Sequence, residues 1–159
     1  MPAVKDADVL RRLEERGLGL PPAPAPVATY VAVRRAGPLA FVAGQVPIVD
    51  GQLLHPGRLG ASISVEMGQE AARHAALQAL SALRHELGGS LDRVSRIVQL
   101  SVFVAADPDF IEHATVANGA SDLLVELLGD DGRHARATVG VASLPLGASV
   151  EVALTAELS

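Results

Sequence analysis

The sequence predicts an α+β domain, a mixed β-sheet with two long helices packed on one face. Three observations carry this. Segments 39–45, 95–105, 136–142 and 148–157 are short, rich in β-branched or alternating residues and bounded by turn signals, as strands are. Two longer stretches, 65–87 and about 108–128, read as helices. The resulting order, β-β-β-α-β-α-β-β, lacks the strict alternation that makes a doubly wound parallel sheet.

Composition narrows the class. A chain of 159 residues suits one domain with a sizeable core. Apolar residues make up 49% but aromatics only 3%, so the core must be built from Val, Leu, Ile and Ala. There is no cysteine, which excludes a disulfide framework, a thiolate nucleophile and a Cys-based metal site. The net charge of −5 and the lack of a Lys/Arg cluster argue against a nucleic-acid surface. No apolar run approaches the ~18 residues of a membrane span. The charged opening MPAVKDADVLRRLEERG is unlike a signal peptide, so a cytoplasmic location without a membrane partner is expected.

In order, residues 6–17 make a short helix with Val9, Leu10 and Leu13 as its apolar stripe and Gly17 as its C-cap. LGLPPAPAP at 18–26 is an extended connector, so residues 1–26 are an N-terminal helix plus Pro-rich connector and 27–159 the domain. Segments 29–35 and 39–45 are strands around Ala36-Gly37-Pro38, with Tyr30 as the lone tyrosine. Asp50-Gly51 is a two-residue hairpin turn. His55 and Arg58 fall in a loop, 55–63. The helix 65–87 stops at Gly88-Gly89; its His74 and His85 are three turns apart, too far to share one metal ion. Strand 95–105 leads to Asp107-Pro108, a helix-start signal. Gly119 inside the following helix costs about 1 kcal/mol relative to Ala, a hint of close packing or of a local break at a subunit boundary.

The 25 residues from His134 to Leu158 read as a hairpin closed by Leu144-Pro145-Leu146-Gly147. With the turn centred near Pro145, Arg136, Thr138 and Gly140 would share a face with Glu151, setting a guanidinium beside a carboxylate; a one-residue slip would part them. On composition alone, two solvated surface charges are the commoner reading.

Two motifs carry a resemblance. Arg136, two residues, Val139-x-Val141-x-x-Leu144-Pro145 and then Val150-Glu151-Val152 resemble the C-terminal signature of the RidA/YjgF superfamily. Phe41-Val42-Ala43-Gly44-Gln45-Val46-Pro47 resembles that family's second strand, and the likeness covers most of 27–158. The resemblance implies a chorismate-mutase-like fold, a homotrimer and three clefts between subunits. It implies hydrolysis of reactive 2-imino acids to 2-keto acids and ammonia, with no metal or cofactor. Arg136 would hold the substrate carboxylate and Glu151 would orient water. Tyr30 would line the cleft, Gly44 would bring backbone to the ligand, Thr138 stands where many members have Cys, and Asn118 matches a helix asparagine contributed across the subunit interface. Ala43 replaces a common Ser, which removes a hydroxyl. His134 is a lesser candidate for a second acid/base. Two other functions fit the same residues: a non-catalytic trimer that binds small carboxylates, and an endoribonuclease, which the acidic balance disfavours.

Overall fold

The computed structural model describes residues 4–26 and 28–159. Helix α1 (Asp6–Glu15) buries Val9 and Leu13 and ends at Arg16, before Gly17 turns left-handed at φ 67°. It is tied to the rest of the chain at both ends. The Asp6 carboxylate accepts from Arg84 Nε at 2.8 Å, Arg84 Nη2 at 3.0 Å and the Leu91 N–H at 3.0 Å. Arg12 Nη1 donates to the Leu127 carbonyl at 2.6 Å, satisfying one of the acceptors that a helix C-terminus leaves open. The Pro-rich connector lies along the body of the fold, where the Ser81 hydroxyl donates to the Pro21 carbonyl at 2.5 Å and Leu18 and Leu20 pack on the core.

The sheet has five strands in the order β1-β2-β7-β5-β6, where β1 is Val33–Ala36, β2 Leu39–Gln45, β5 Val94–Ala105, β6 Ala135–Val141 and β7 Val150–Leu158. A separate small hairpin joins β3 (Ile48–Val49) to β4 (Gln52–Leu53) through Asp50 and Gly51, both at positive φ as the turn signal required. Helices α2 (Val65–Glu86) and α3 (His113–Leu128) cover one face of the sheet, the α+β architecture expected. Ser64 caps α2 by accepting from the Met67 N–H at 3.2 Å, and the alanines of α2 let it pack closely. The two helices meet through glycines. A Cβ on Gly119 would overlap the Gln69 carbonyl of α2, so the mid-helix glycine is the cost of that close approach.

Four expectations are corrected. First, β6 and β7 are not a hairpin: β5 lies between them, parallel to β6 and antiparallel to β7. Parallel neighbours need a long crossover, which α3 supplies between β5 and β6. The chain then crosses over β5 through a tight turn at 145–147, with Leu146 and Gly147 left-handed. Second, Arg136 and Glu151 do not share a face. Arg136 pairs with Leu100 and Leu100 with Leu154, on the face the helices cover; Glu151 pairs with Phe103 and Phe103 with Val139, on the open face. Burial of Val150, Val152, Leu154 and Ala156 against the helices fixes this register, so Glu151 must point away. Third, α3 starts at His113, not after Asp107. Asp107 is held elsewhere: its N–H donates to the Leu59 carbonyl at 3.0 Å, and its carboxylate pairs with Arg58 at 3.2 Å. The first strand is also shorter than 29–35, leaving Tyr30 in a bend before it.

Candidate functional site

Arg136 lies on the outermost strand, and α3 provides its neighbours. Asn118 and Ser121 are three residues apart and so share a helix face. Arg136 Nη1 donates to Asn118 Oδ1 at 2.8 Å and to Ser121 Oγ at 3.1 Å. Among the described residues nothing bonds Nε or Nη2, so one edge of the guanidinium stays open to solvent. An open edge of that kind suits a two-point hydrogen bond to a carboxylate. Asn118 therefore touches the arginine of its own chain.

Thr138 and Gly140 continue the same face. The Thr138 hydroxyl is buried without a hydrogen-bond partner among the described residues. At Gly140 a Cβ would come within 2.5 Å of His113 Nε2, so the missing side chain makes room for that ring at the start of α3. His134 sits just before the strand. Its Nε2 is 2.9 Å from Ser121 Oγ and its Nδ1 2.7 Å from the Gly132 carbonyl. Burial is the main influence lowering its pKa; the Gly132 bond opposes this and the Arg136 charge adds to it. Ser121 is the residue that reading the sequence missed. The three-residue spacing from Asn118 was the available signal.

On the open face, Glu151 packs against the backbone of Gly44. A Cβ there would lie 2.9 Å from Glu151 Cδ and overlap Oε1. The place is prepared by a bulge: Val42 pairs with Leu154 but Gln45 with Val152, which puts one extra residue into β2 at Ala43–Gly44. Ala43 is anchored through its N–H to the Ala32 carbonyl at 2.9 Å. Glu151 has no ion-pair partner among the described residues, and burial raises its pKa. Tyr30 is half exposed, with no hydrogen bond to its hydroxyl among the described residues, so it is not the packed, bonded tyrosine that a strand position would give.

One chain thus presents two separate clusters. Arg136, Asn118 and Thr138 are brought together at the helix-covered edge; Glu151, Gly44 and Ala43 are brought together on the open face. His55 and Arg58 belong to neither: His55 Nε2 contacts Glu70 Oε2 at 2.6 Å and Arg58 Nη2 donates to the Ala106 carbonyl at 2.8 Å, holding the 55–63 loop. No group of three or more metal-ligating side chains gathers among the described residues, and no helix is long and apolar enough to cross a membrane.

Residues 10–158 match the family described as "YjgF/chorismate_mutase-like, putative endoribonuclease". The chain is 47% identical to Protein TCP17 of Trypanosoma cruzi over 160 aligned positions, covering 100% of this chain and 99% of the relative. Among solved structures it is similar to protein Atu1372 of Agrobacterium tumefaciens, a protein of unknown function, at 40% identity and a TM-score of 0.92, covering 97% of this chain and 94% of the other. It is also similar to RidA of an Antarctic Psychrobacter at 25% identity and a TM-score of 0.58, covering 86% and 94%.

Proposed function

The chain belongs to the RidA/YjgF superfamily of chorismate-mutase-like proteins, and from that premise we propose that it is an enamine/imine deaminase. It hydrolyses 2-imino acids to 2-keto acids and ammonia. The observation that carries this reading is the open Nε–Nη2 edge of Arg136, held beside the Asn118 side chain. A planar carboxylate docks on that edge through two charge-assisted bonds. The adjacent imine carbon is then presented to a water. Glu151 accepts the water's proton as the new C–O bond forms and the C=N electron pair moves to nitrogen; its raised pKa makes it a stronger base than a solvated carboxylate. Glu151 returns that proton to the nitrogen, then takes the hydroxyl proton as C=O forms and passes it to the amine as the C–N bond breaks, releasing ammonia.

Because Arg136 and Glu151 occupy opposite faces of one sheet, a ligand that touches both must sit between two copies. The arginine edge of one copy would meet the Glu151–Gly44 face of the next. That requirement supports the homotrimer with clefts between subunits. Two features favour such contacts: β6 is a terminal strand with one unpaired edge, and the open face exposes Phe41 and Val139.

Ala43 favours a second reading. Without a hydroxyl at that position, the cleft retains what carboxylate binding needs but has one fewer group to order water, as a non-catalytic small-carboxylate binder would. A coupled assay separates the two: an amino-acid oxidase generates imino acids in the presence of semicarbazide. Suppressed trapping by wild type but not by Arg136→Ala supports the deaminase. Saturable 2-keto acid binding with no suppression supports the binder. RNA cleavage that falls steeply with salt and is lost with the site variants would replace both with the endoribonuclease.

A further inference from the structure

The hydrogen bonds around Arg136 run in one direction, and the direction is forced. The Gly132 carbonyl can only accept, so His134 Nδ1, 2.7 Å away, carries a proton. Burial, with the Arg136 charge adding to it, lowers the pKa of the half-buried ring and so favours the neutral form, which leaves Nε2 bare. A bare Nε2 can only accept, so the Ser121 hydroxyl at 2.9 Å donates to it. Serine has one proton. With that proton committed to His134, Ser121 Oγ meets Arg136 Nη1 at 3.1 Å as an acceptor, and the second Nη1 proton goes to Asn118 Oδ1 at 2.8 Å. A serine beside a histidine invites comparison with an activated nucleophile, but a guanidinium donating to Oγ draws on the lone pair an attack would use. The geometry fits a different role.

We propose that Ser121 and His134 are positioning residues for Arg136: their chain from the Gly132 carbonyl locks the guanidinium at Nη1 and so holds its Nε–Nη2 edge ready for the carboxylate of a 2-oxo or 2-imino acid. The inference rests on the carboxylate-binding role given to Arg136 above. Asn118 alone would leave Nη1 held by a single bond. The hydroxyl supplies the second, and the histidine fixes which way the hydroxyl points.

The test compares wild type with Ser121→Ala, Ser121→Thr, His134→Phe and His134→Gln. It measures 2-oxobutanoate binding by calorimetry, turnover kinetics and the order of Arg136 by ¹⁵Nε relaxation. Ser121→Ala and His134→Phe are expected to weaken 2-oxobutanoate binding about tenfold, the effect of losing one hydrogen bond to a charged group. KM should rise to match, with kcat held within about twofold, and Arg136 Nε should become more mobile. Ser121→Thr keeps the hydroxyl and His134→Gln keeps an acceptor, so both should recover most of the affinity. A general loss of stability would give neither the KM–kcat split nor the hydroxyl rescue. Unchanged affinity and unchanged Arg136 order in Ser121→Ala overturn the proposal. If wild type binds no 2-oxo acid, the carboxylate reading fails, and Arg136 order still decides the lock: looser in Ser121→Ala upholds it, equal order overturns it.

Discussion

Gly44 lies directly under the Glu151 carboxylate, so close that a methyl group on residue 44 and the carboxylate cannot occupy their present places together. Gly44→Ala is therefore expected to push the Glu151 side chain off the backbone. The proposed deaminase activity should fall at least about tenfold, the scale on which misplacing a reacting group acts. Thermal stability should change little, because an exposed-face side chain can swing aside. Steady-state kinetics and a melting curve on the same sample check both halves.

Glu151 also has a predicted stability signature. Burial raises its pKa, so the folded protein disfavours the ionised form. The contribution from this group is fully present below the ordinary glutamate pKa and is lost as pH rises through the folded value. At neutral pH Glu151→Gln should therefore raise Tm, by roughly 1–3 °C for a chain of this size, while abolishing turnover. The gain should vanish at acid pH. A Tm that drops at neutral pH would show that the ionised carboxylate is favourably bonded.

Mixing variants tests whether the two clusters serve one ligand from different copies. Arg136→Ala and Glu151→Gln are each expected to be inactive alone. Unfolded together and reassembled, they should regain about a quarter of wild-type activity, the fraction of sites drawing both residues from intact copies in a symmetric oligomer. If both groups serving one ligand belong to the same chain, mixed oligomers will be as inactive as the parents.

The contact between α2 and α3 predicts the largest loss of stability. A Cβ at Gly119 has no room against the Gln69 backbone, which cannot rotate away as a side chain could. Gly119→Ala should destabilise by about 2–4 kcal/mol, despite alanine's better helix propensity. Urea denaturation measures it; a stabilised variant would mean the helices separate without cost.

Much of this architecture was legible from local pattern. The Ala- and Leu-rich period of α2, the alternation of β7 and the Asp50-Gly51 turn are short-range signals, and the structure meets each. The failures share a cause in non-local contacts. β6 and β7 read as a hairpin because neighbours in sequence usually pair, and nothing within 134–158 announces that β5 comes between them. Asp107-Pro108 looked like a helix start until Arg58, far away in the chain, claimed the carboxylate. The site shows the same division. Arg136, Glu151, Gly44 and Asn118 were named from a family resemblance. Ser121 escaped because its meeting with His134 and Arg136 depends on how α3 lies across the sheet edge.

The attachment of α1 has a practical consequence. Arg12 bonds the last turn of α3 at Leu127, and Arg16 pairs with Glu126 on the same helix at 2.9 Å. The N-terminal segment is therefore not a neutral handle for the experimenter. An affinity tag or fusion that frays α1 would loosen the far end of the helix that carries Asn118 and Ser121. A preparation weakened that way would be read as a protein without the proposed activity, when the fault lay in the cloning.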